Sequence, residues 1–314
     1  MSYASPVSRV ALTLLVWFAG AAALPSAAQA PEVPAPTGTS PVGTTRWVVT
    51  DPSRPESFAP DQKRQVGVVA WYPAAPAKAG TLAPYLRETL AEVQSFARLM
   101  RQPDVFDGLA SVVTHSVLDA PPAAGPARFP LIVFSHGYTG LPSSHTALFE
   151  DLASHGYAVL SIVHPYEATA AIISSDQVIT FLNEKGAMHQ AIMDVLNEWG
   201  PEEGTMAKVT AAAGDAAREK LIRGYLAALK NTDLVVKRWV LDTKLALDQL
   251  PKAGVPGVLA ARLDLSRIGL AGHSMGGVAG ASSASRTGAA RPASTWTAFR
   301  NTARWSTRRC RGRS

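Results

Sequence analysis

The chain has 314 residues, 47% of them apolar, which is length enough for one large core, and no internal repeat divides it. Its single cysteine, Cys310, excludes an internal disulfide framework, so the fold must rest on packing. Eight arginines after Val278 supply the basic excess behind the formal charge of +6; the remainder carries 22 basic against 24 acidic residues, a balance of −2. The pI near 9.5 is therefore no argument that the folded body binds nucleic acid.

Residues 1–28 read as an export signal. Arg9 supplies the positive charge, Val10 to Leu24 is a largely apolar stretch, and Pro25 to Ala30 offers small residues for cleavage, expected after Ala28. Fifteen apolar residues fall short of the roughly 20 that span a bilayer, so no transmembrane span is expected once the signal is removed, and the protein is expected in the periplasm or outside the cell. Residues 29–43, rich in Pro, Ala, Thr and Gly, read as a flexible lead-in to a domain over 44–280.

Two strands open that domain, Thr45 to Thr50 and Gln65 to Tyr72, each rich in valine and tryptophan. Tyr85 to Met100 places Leu86, Leu90, Val93, Phe96 and Met100 at helical spacing, a helix packed on the sheet or a lid. Leu131 to Phe134 is a wholly apolar strand that runs into Ser135-His136-Gly137-Tyr138-Thr139-Gly140, a turn that puts backbone amides at the strand's carboxyl end. His136 reads as a residue that pins this turn by hydrogen bonding rather than as a base. Ser143 and Ser144 are candidate caps for a helix running to about His155, Gly156 is its stop, and Tyr157 to Val163 is another continuous apolar strand. Strand, helix and strand in that order make a parallel crossover unit, and a mainly parallel sheet needs helices on both faces. The histidines are not spaced as metal ligands, so no metal and no cofactor are expected.

The stretch 164–263 is a long, mostly helical crossover. Met188, Ile192, Val195, Leu196 and Trp199 form one amphipathic stripe ended by Gly200-Pro201; Leu221, Ile222, Tyr225, Leu226 and Leu229 form a second; Leu234, Leu241, Leu245 and Leu247 form a third. The third is the natural crossover helix. The rest is an insertion at the mouth of the site, either a cap over an apolar pocket or a surface excursion.

Arg267 to Ala271 is a short strand that leads into Gly272-His273-Ser274-Met275-Gly276. A serine between two such glycines, on a sharp turn from strand to helix, is a nucleophile elbow: Gly272 and Gly276 leave room for the neighbouring backbone and the hydroxyl is raised above the sheet. Ser274 is the expected nucleophile, and the N–H groups of Met275 and Tyr138 are the expected oxyanion hole. A serine needs a histidine to take its proton and a carboxylate to orient that histidine, and in this architecture both follow the serine in the chain. The 40 residues after Ser274 contain no Asp, Glu or His. They are mostly Ala, Ser, Thr and Arg, with no apolar periodicity, so residues 281–314 are expected to be an aberrant or disordered basic tail. The rival expectation is a genuine basic tail for an anionic partner.

Taken together, Pro41-Val42-Gly43, Trp71-Tyr72-Pro73, Phe129 to Gly137, Asp151 to Tyr157 and Gly272 to Gly277 resemble the platelet-activating factor acetylhydrolase family over roughly Pro41 to Val278. The resemblance implies an α/β-hydrolase fold, here incomplete at the C-terminus. It also implies a small-molecule ester or lipid substrate cleaved by Ser274 without a metal. The family's acid and histidine have no counterpart, so this chain is expected to be inactive as written. The bacterial cutinase and polyester-hydrolase group is also similar at Gly137 to Gly140 and Ser274 to Gly277, but the spacing between loop and elbow favours the first family. A non-catalytic binding protein or remnant is the alternative of a different class.

Overall fold

The structure, a computed structural model, describes residues 31–76, 80–87, 106–175 and 177–287, together with 93–94, 97, 101–102, 104 and 295–296. The expected signal over 1–28 lies outside the described residues. So does most of the expected helix from Tyr85 to Met100, of which Val93 and Ala97 are helical and buried with Leu86 and Phe106.

Valine-rich and aromatic runs make the sheet. Its strands are β1 (Val42–Pro55), β2 (Lys63–Pro73), β3 (Leu82–Pro84), β4 (Val113–Leu118), β5 (Phe129–Ser135), β6 (Ala158–Val163), β9 (Leu263–His273) and β10 (Thr295–Trp296). They lie in the order β10-β9-β5-β6-β2-β1-β4-β3. β10, β9, β5 and β6 are parallel, while β2 runs antiparallel to both β6 and β1. A small ribbon, β7 (Ala170–Ile172) and β8 (Val178–Thr180), stands apart.

Helices cover both faces, as continuous apolar strands require. On one face α1 (Thr146–Ser154) sets Phe149 and Ala153 on Trp71, Phe134 and Val159. The other face buries Val66, Val68, Leu131, Val133, Leu160 and Ile162 under α5 (Lys230–Asp248) and α6 (Gly254–Arg262). Successive residues of β2, β5 and β6 thus feed opposite cores, as the two-residue period of a strand demands. Because β5 has β6 on one side and β9 on the other, the connections leaving its neighbours diverge at its carboxyl end, where open α/β sheets place their crevice.

Several expectations change. The stretch read as a flexible lead-in is tied down: Thr37 donates through its N–H and its hydroxyl to Asp151 Oδ1, both at 2.8 Å, and the Gly38 and Ser40 amides bond Ser154. Ser143 and Ser144 do not cap α1; a 3-10 turn over Pro142–His145 precedes it, and the Ser144 hydroxyl bonds His145 Nδ1 at 2.9 Å. Gly156 stops the helix with φ +95°, a left-handed conformation that glycine adopts without strain. Within the insertion, α2 (Gln190–Trp199) buries Ile192, Val195 and Leu196 as its stripe suggests. By contrast α3 (Glu202–Ala211) and α4 (Asp215–Ala228) bury nothing, and Leu226 is 59% exposed. Of the third stripe, Leu245 and Leu247 pack inward with Val235, Trp239 and Asp242, while Leu234 and Leu241 face solvent. A buried carboxylate sets that face, and a count of apolar residues cannot register it.

The final helix, α7 (Met275–Thr287), continues seven residues past Gly280, where the tail was expected to begin. Small residues make this contact: Ala279 and Ser283 are buried and Ser283 donates to the Ala279 carbonyl at 2.8 Å, so close packing replaces large side chains. β10 then pairs Thr295 and Trp296 with Gly272 and His273.

Candidate active site

Ser274 lies where β9 turns into α7, with φ +51°, one of five non-glycine residues in the left-handed region among the described residues. That strain is what an elbow stores, and its neighbours show why it persists. A Cβ on Gly272 would come within 2.5 Å of the Gly277 nitrogen, and one on Gly276 within 2.5 Å of the His136 carbonyl oxygen. Gly137 allows the facing loop to approach, since a Cβ there would meet His273 Nδ1 at 2.7 Å and the Ser274 Cβ at 3.5 Å. Glycines on both strands therefore let the turn after β5 and the elbow after β9 interlock.

The two expected oxyanion donors fall on these turns. Met275 is the first residue of α7, so its N–H has no acceptor within the helix. In the loop, the Thr139 amide bonds the Glu167 carbonyl at 2.9 Å and the Gly140 amide the Gly137 carbonyl at 2.8 Å, whereas no bond within the described residues engages the Tyr138 amide. The Tyr138 and Met275 side chains are buried together against Phe181, Ile192, Val195 and Trp239. Phe181 and α2 from the insertion, together with the crossover helix α5, thus pack over these residues, while α3 and α4 bury none of their own.

Most of the histidines are held by other groups. His136 Nδ1 donates to the Gly137 carbonyl at 2.7 Å and its Nε2 accepts the His164 N–H at 3.2 Å, so it pins the turn. Burial, reinforced by the neighbouring His164, pushes its pKa down to about 3. Burial likewise carries His145 down to about 4, and this ring lies 4.8 Å from Phe134 and 5.3 Å from His273. His115, His155 and His189 stand with Val33, Thr37 and Phe58 respectively. The Ser274 hydroxyl has no hydrogen-bond partner among the described residues.

A serine, histidine and aspartate do meet, but elsewhere. His164 Nδ1 donates to Asp242 Oδ2 at 2.9 Å, and its Nε2 lies 3.3 Å from the Ser135 hydroxyl, with Trp239 stacked on the ring at 4.0 Å. All are buried, and Ser135 is only 3% exposed. Arg64 binds Asp242 through two nitrogens, at 2.6 and 3.3 Å, and Glu56 at 2.8 Å. Burial alone would raise the Asp242 carboxyl, but the Arg64 charge and the His164 bond hold it far below the usual carboxylate range. No stretch of sequence reveals this cluster, because Arg64 and Asp242 stand 178 residues apart. Among the described residues no cluster of metal-ligating type gathers three or more members. A hollow of about 220 Å³ floored by Val48, Gly67 and Val69 does not include Ser274. The backbone of the elbow, not cavity size, locates the site.

These imidazoles predict the pH response. In the unfolded chain they titrate near the ordinary 6.5, and folded they resist protonation down to about 4 for His145 and 3 for His136. Between those values the unfolded chain binds more protons, so stability is full above about pH 6.5 and falls as pH drops. Thermal midpoints are expected to decline steadily from pH 6.5 to 4.5, less steeply in His145→Gln. A flat profile in both proteins would count against this account.

An α/β sheet with a strained serine elbow facing a loop that leaves the Tyr138 amide open defines a serine ester hydrolase scaffold. The family model for platelet-activating factor acetylhydrolase, isoform II, matches residues 32–301, and the chain belongs to that family of carboxylic-ester hydrolases. The match extends past the stretch expected from the motifs at both ends. No curated protein matches. Among solved structures, the chain is similar to a ferulic acid esterase from Streptomyces cinnamoneus, with 26% identity and a TM-score of 0.57 over 83% of this chain. It spans 60% of the length of that esterase.

Proposed function

We propose that this chain carries the nucleophile and oxyanion loop of an exported hydrolase for short acyl esters of phospholipids or related lipids, and that by itself it does not turn such esters over. The observation that carries the first half is Ser274 at φ +51°, seated between Gly272 and Gly276 and facing the Tyr138 loop. Its family supports an acyl ester as substrate. Support for the second half is chemical: the chain's seven histidines all lie within the described residues, and none bonds the Ser274 hydroxyl. Without a base the hydroxyl stays protonated and weak as a nucleophile. Export rests on residues 1–28, and a mature N-terminus other than Gln29 would argue against the assigned cleavage.

A second reading, a broader esterase of the cutinase and polyester-hydrolase kind, draws on the similarity to an esterase named for ferulic acid. A non-catalytic binding protein is the third. Incubation with a fluorophosphonate probe and with a short-chain nitrophenyl ester separates them. Slow labelling confined to Ser274, abolished in Ser274→Ala and kept in Ser135→Ala, is the expected result, with ester turnover no faster than in Ser274→Ala. Labelling at Ser135 would overturn the choice of nucleophile, and turnover well above the Ser274→Ala background would overturn the proposed inactivity. A nucleophile that never reacts favours the binding-protein reading.

A further inference from the structure

The oxyanion loop is held from behind by a second loop, residues 164–169, and both contain strain. Thr139 has φ +57° and Tyr166 has φ +66°, neither of them glycine. Such conformations persist only where surrounding bonds over-determine them. Here the bonds can be followed one by one. The Thr139 amide donates to the Glu167 carbonyl at 2.9 Å, the Thr169 amide to the Gly140 carbonyl at 3.0 Å, and the Thr169 hydroxyl to the Thr139 carbonyl at 2.8 Å. Three residues earlier in each loop, the His164 amide reaches His136, which in turn holds the Gly137 carbonyl. Tyr138, whose amide stays available, is thus bracketed on both sides by residues bonded to 164–169.

The rear loop is itself anchored to the buried ionic cluster. Glu167 is fully buried and receives Arg238 through two nitrogens and Trp239 Nε1 at 2.8 Å. His164 is fixed by Asp242, and the Pro165 carbonyl accepts from Arg64 at 3.3 Å. Arg238, Trp239 and Asp242 lie within about one turn of α5, Trp239 and Asp242 buried and Arg238 half-buried beside them. Burying this many charges is costly unless geometry is well satisfied, and such clusters more often confer specificity of arrangement than stability. What this one arranges is a single turn of backbone beside the elbow.

We propose that His164, Glu167 and Thr169 are positioning residues that set the direction of the Tyr138 amide, with α5 as their rigid support. The proposal rests on the reading of that amide as an oxyanion donor, but the orientation of the loop is measurable apart from any activity. Thr169→Val removes one hydroxyl at nearly constant volume and leaves the ionic cluster intact; Glu167→Gln tests the anchor; Thr169→Ser keeps the hydroxyl. Thr243→Val, which deletes a buried hydroxyl bonded to the Trp239 carbonyl at 2.9 Å, is the control. Amide hydrogen exchange is followed in the peptide covering 136–141 and in the β6 peptide covering 158–163. Thr169→Val and Glu167→Gln are expected to speed exchange in the loop peptide tenfold or more with β6 unchanged, while Thr169→Ser and Thr243→Val match the parent chain. Unaltered loop exchange in Thr169→Val, or a rise shared equally by β6, overturns the proposal. Fluorophosphonate labelling of Ser274 is expected to slow at least tenfold in Thr169→Val. An unlabelled parent chain would count against the nucleophile reading alone, since the exchange result still decides the positioning.

Discussion

Replacing Asp242 by alanine is expected to remove about 3–5 kcal/mol of folding stability, the range for breaking one member of a buried ion pair. Asp242 has no exposed surface, and Arg64 is 1% exposed. Three groups lean on the carboxylate: Arg64 through two nitrogens, His164 at 2.9 Å, and Arg54 at 3.0 Å. Its removal leaves the Arg64 guanidinium buried with Glu56 at 2.8 Å and Glu167 at 3.8 Å as remaining counter-charges. Those two moderate the loss but cannot replace a two-point contact. Asparagine at the same position keeps shape and one acceptor and is expected to cost less than alanine. Urea unfolding monitored by tryptophan fluorescence measures both variants. A loss below about 1 kcal/mol for alanine, the scale of an exposed pair, would mean that the cluster is effectively solvated.

Gly276→Ala is expected to abolish Ser274 labelling and to destabilise the fold by about 3 kcal/mol, the upper part of the usual overpacking range. The added methyl would collide with the carbonyl oxygens of Ser135 and His136, which are backbone atoms of β5 and its turn and cannot rotate away. Relief requires the elbow to move off β5, and Ser274 moves with it. Gly280→Ala makes the contrast. Its methyl would meet the Ala271 carbonyl oxygen of β9 at 3.5 Å, an ordinary van der Waals contact. That change is expected to be neutral or stabilising by about 0.5–1 kcal/mol, because alanine loses less chain entropy than glycine in a helix. Equal stability of the two variants would show that the elbow is looser than its close contacts imply.

Both results depend on features that differ in how far sequence reveals them. Leu131 to Phe134 and Tyr157 to Val163 are legible because a strand covered on both faces writes itself as unbroken apolar residues. The elbow is legible because a tight turn demands glycine at fixed offsets. Short edge elements are not. β3, β7 and β8 have three residues each, too few for a period to emerge. α3 carries no apolar face at all, so nothing in its residues marks it, whereas the stripe of α4 is only half covered, with Leu221, Tyr225 and Leu229 half-buried and Ile222 and Leu226 exposed.

The sequence by itself determined the local chemistry: where the chain turns sharply, which serine is lifted above the sheet, and that no acid or histidine follows it. These are properties of neighbours along the chain. Only the tertiary structure decided which side of α5 is inside, that residues 37–40 are fastened to α1, and that His164 and Asp242 serve Ser135 and the loop behind Tyr138 instead of Ser274. Such outcomes turn on charges that are favourable inside a protein only when matched. A match between Arg64 and Asp242 is made by the folded chain bringing distant segments into register, which no stretch of sequence contains.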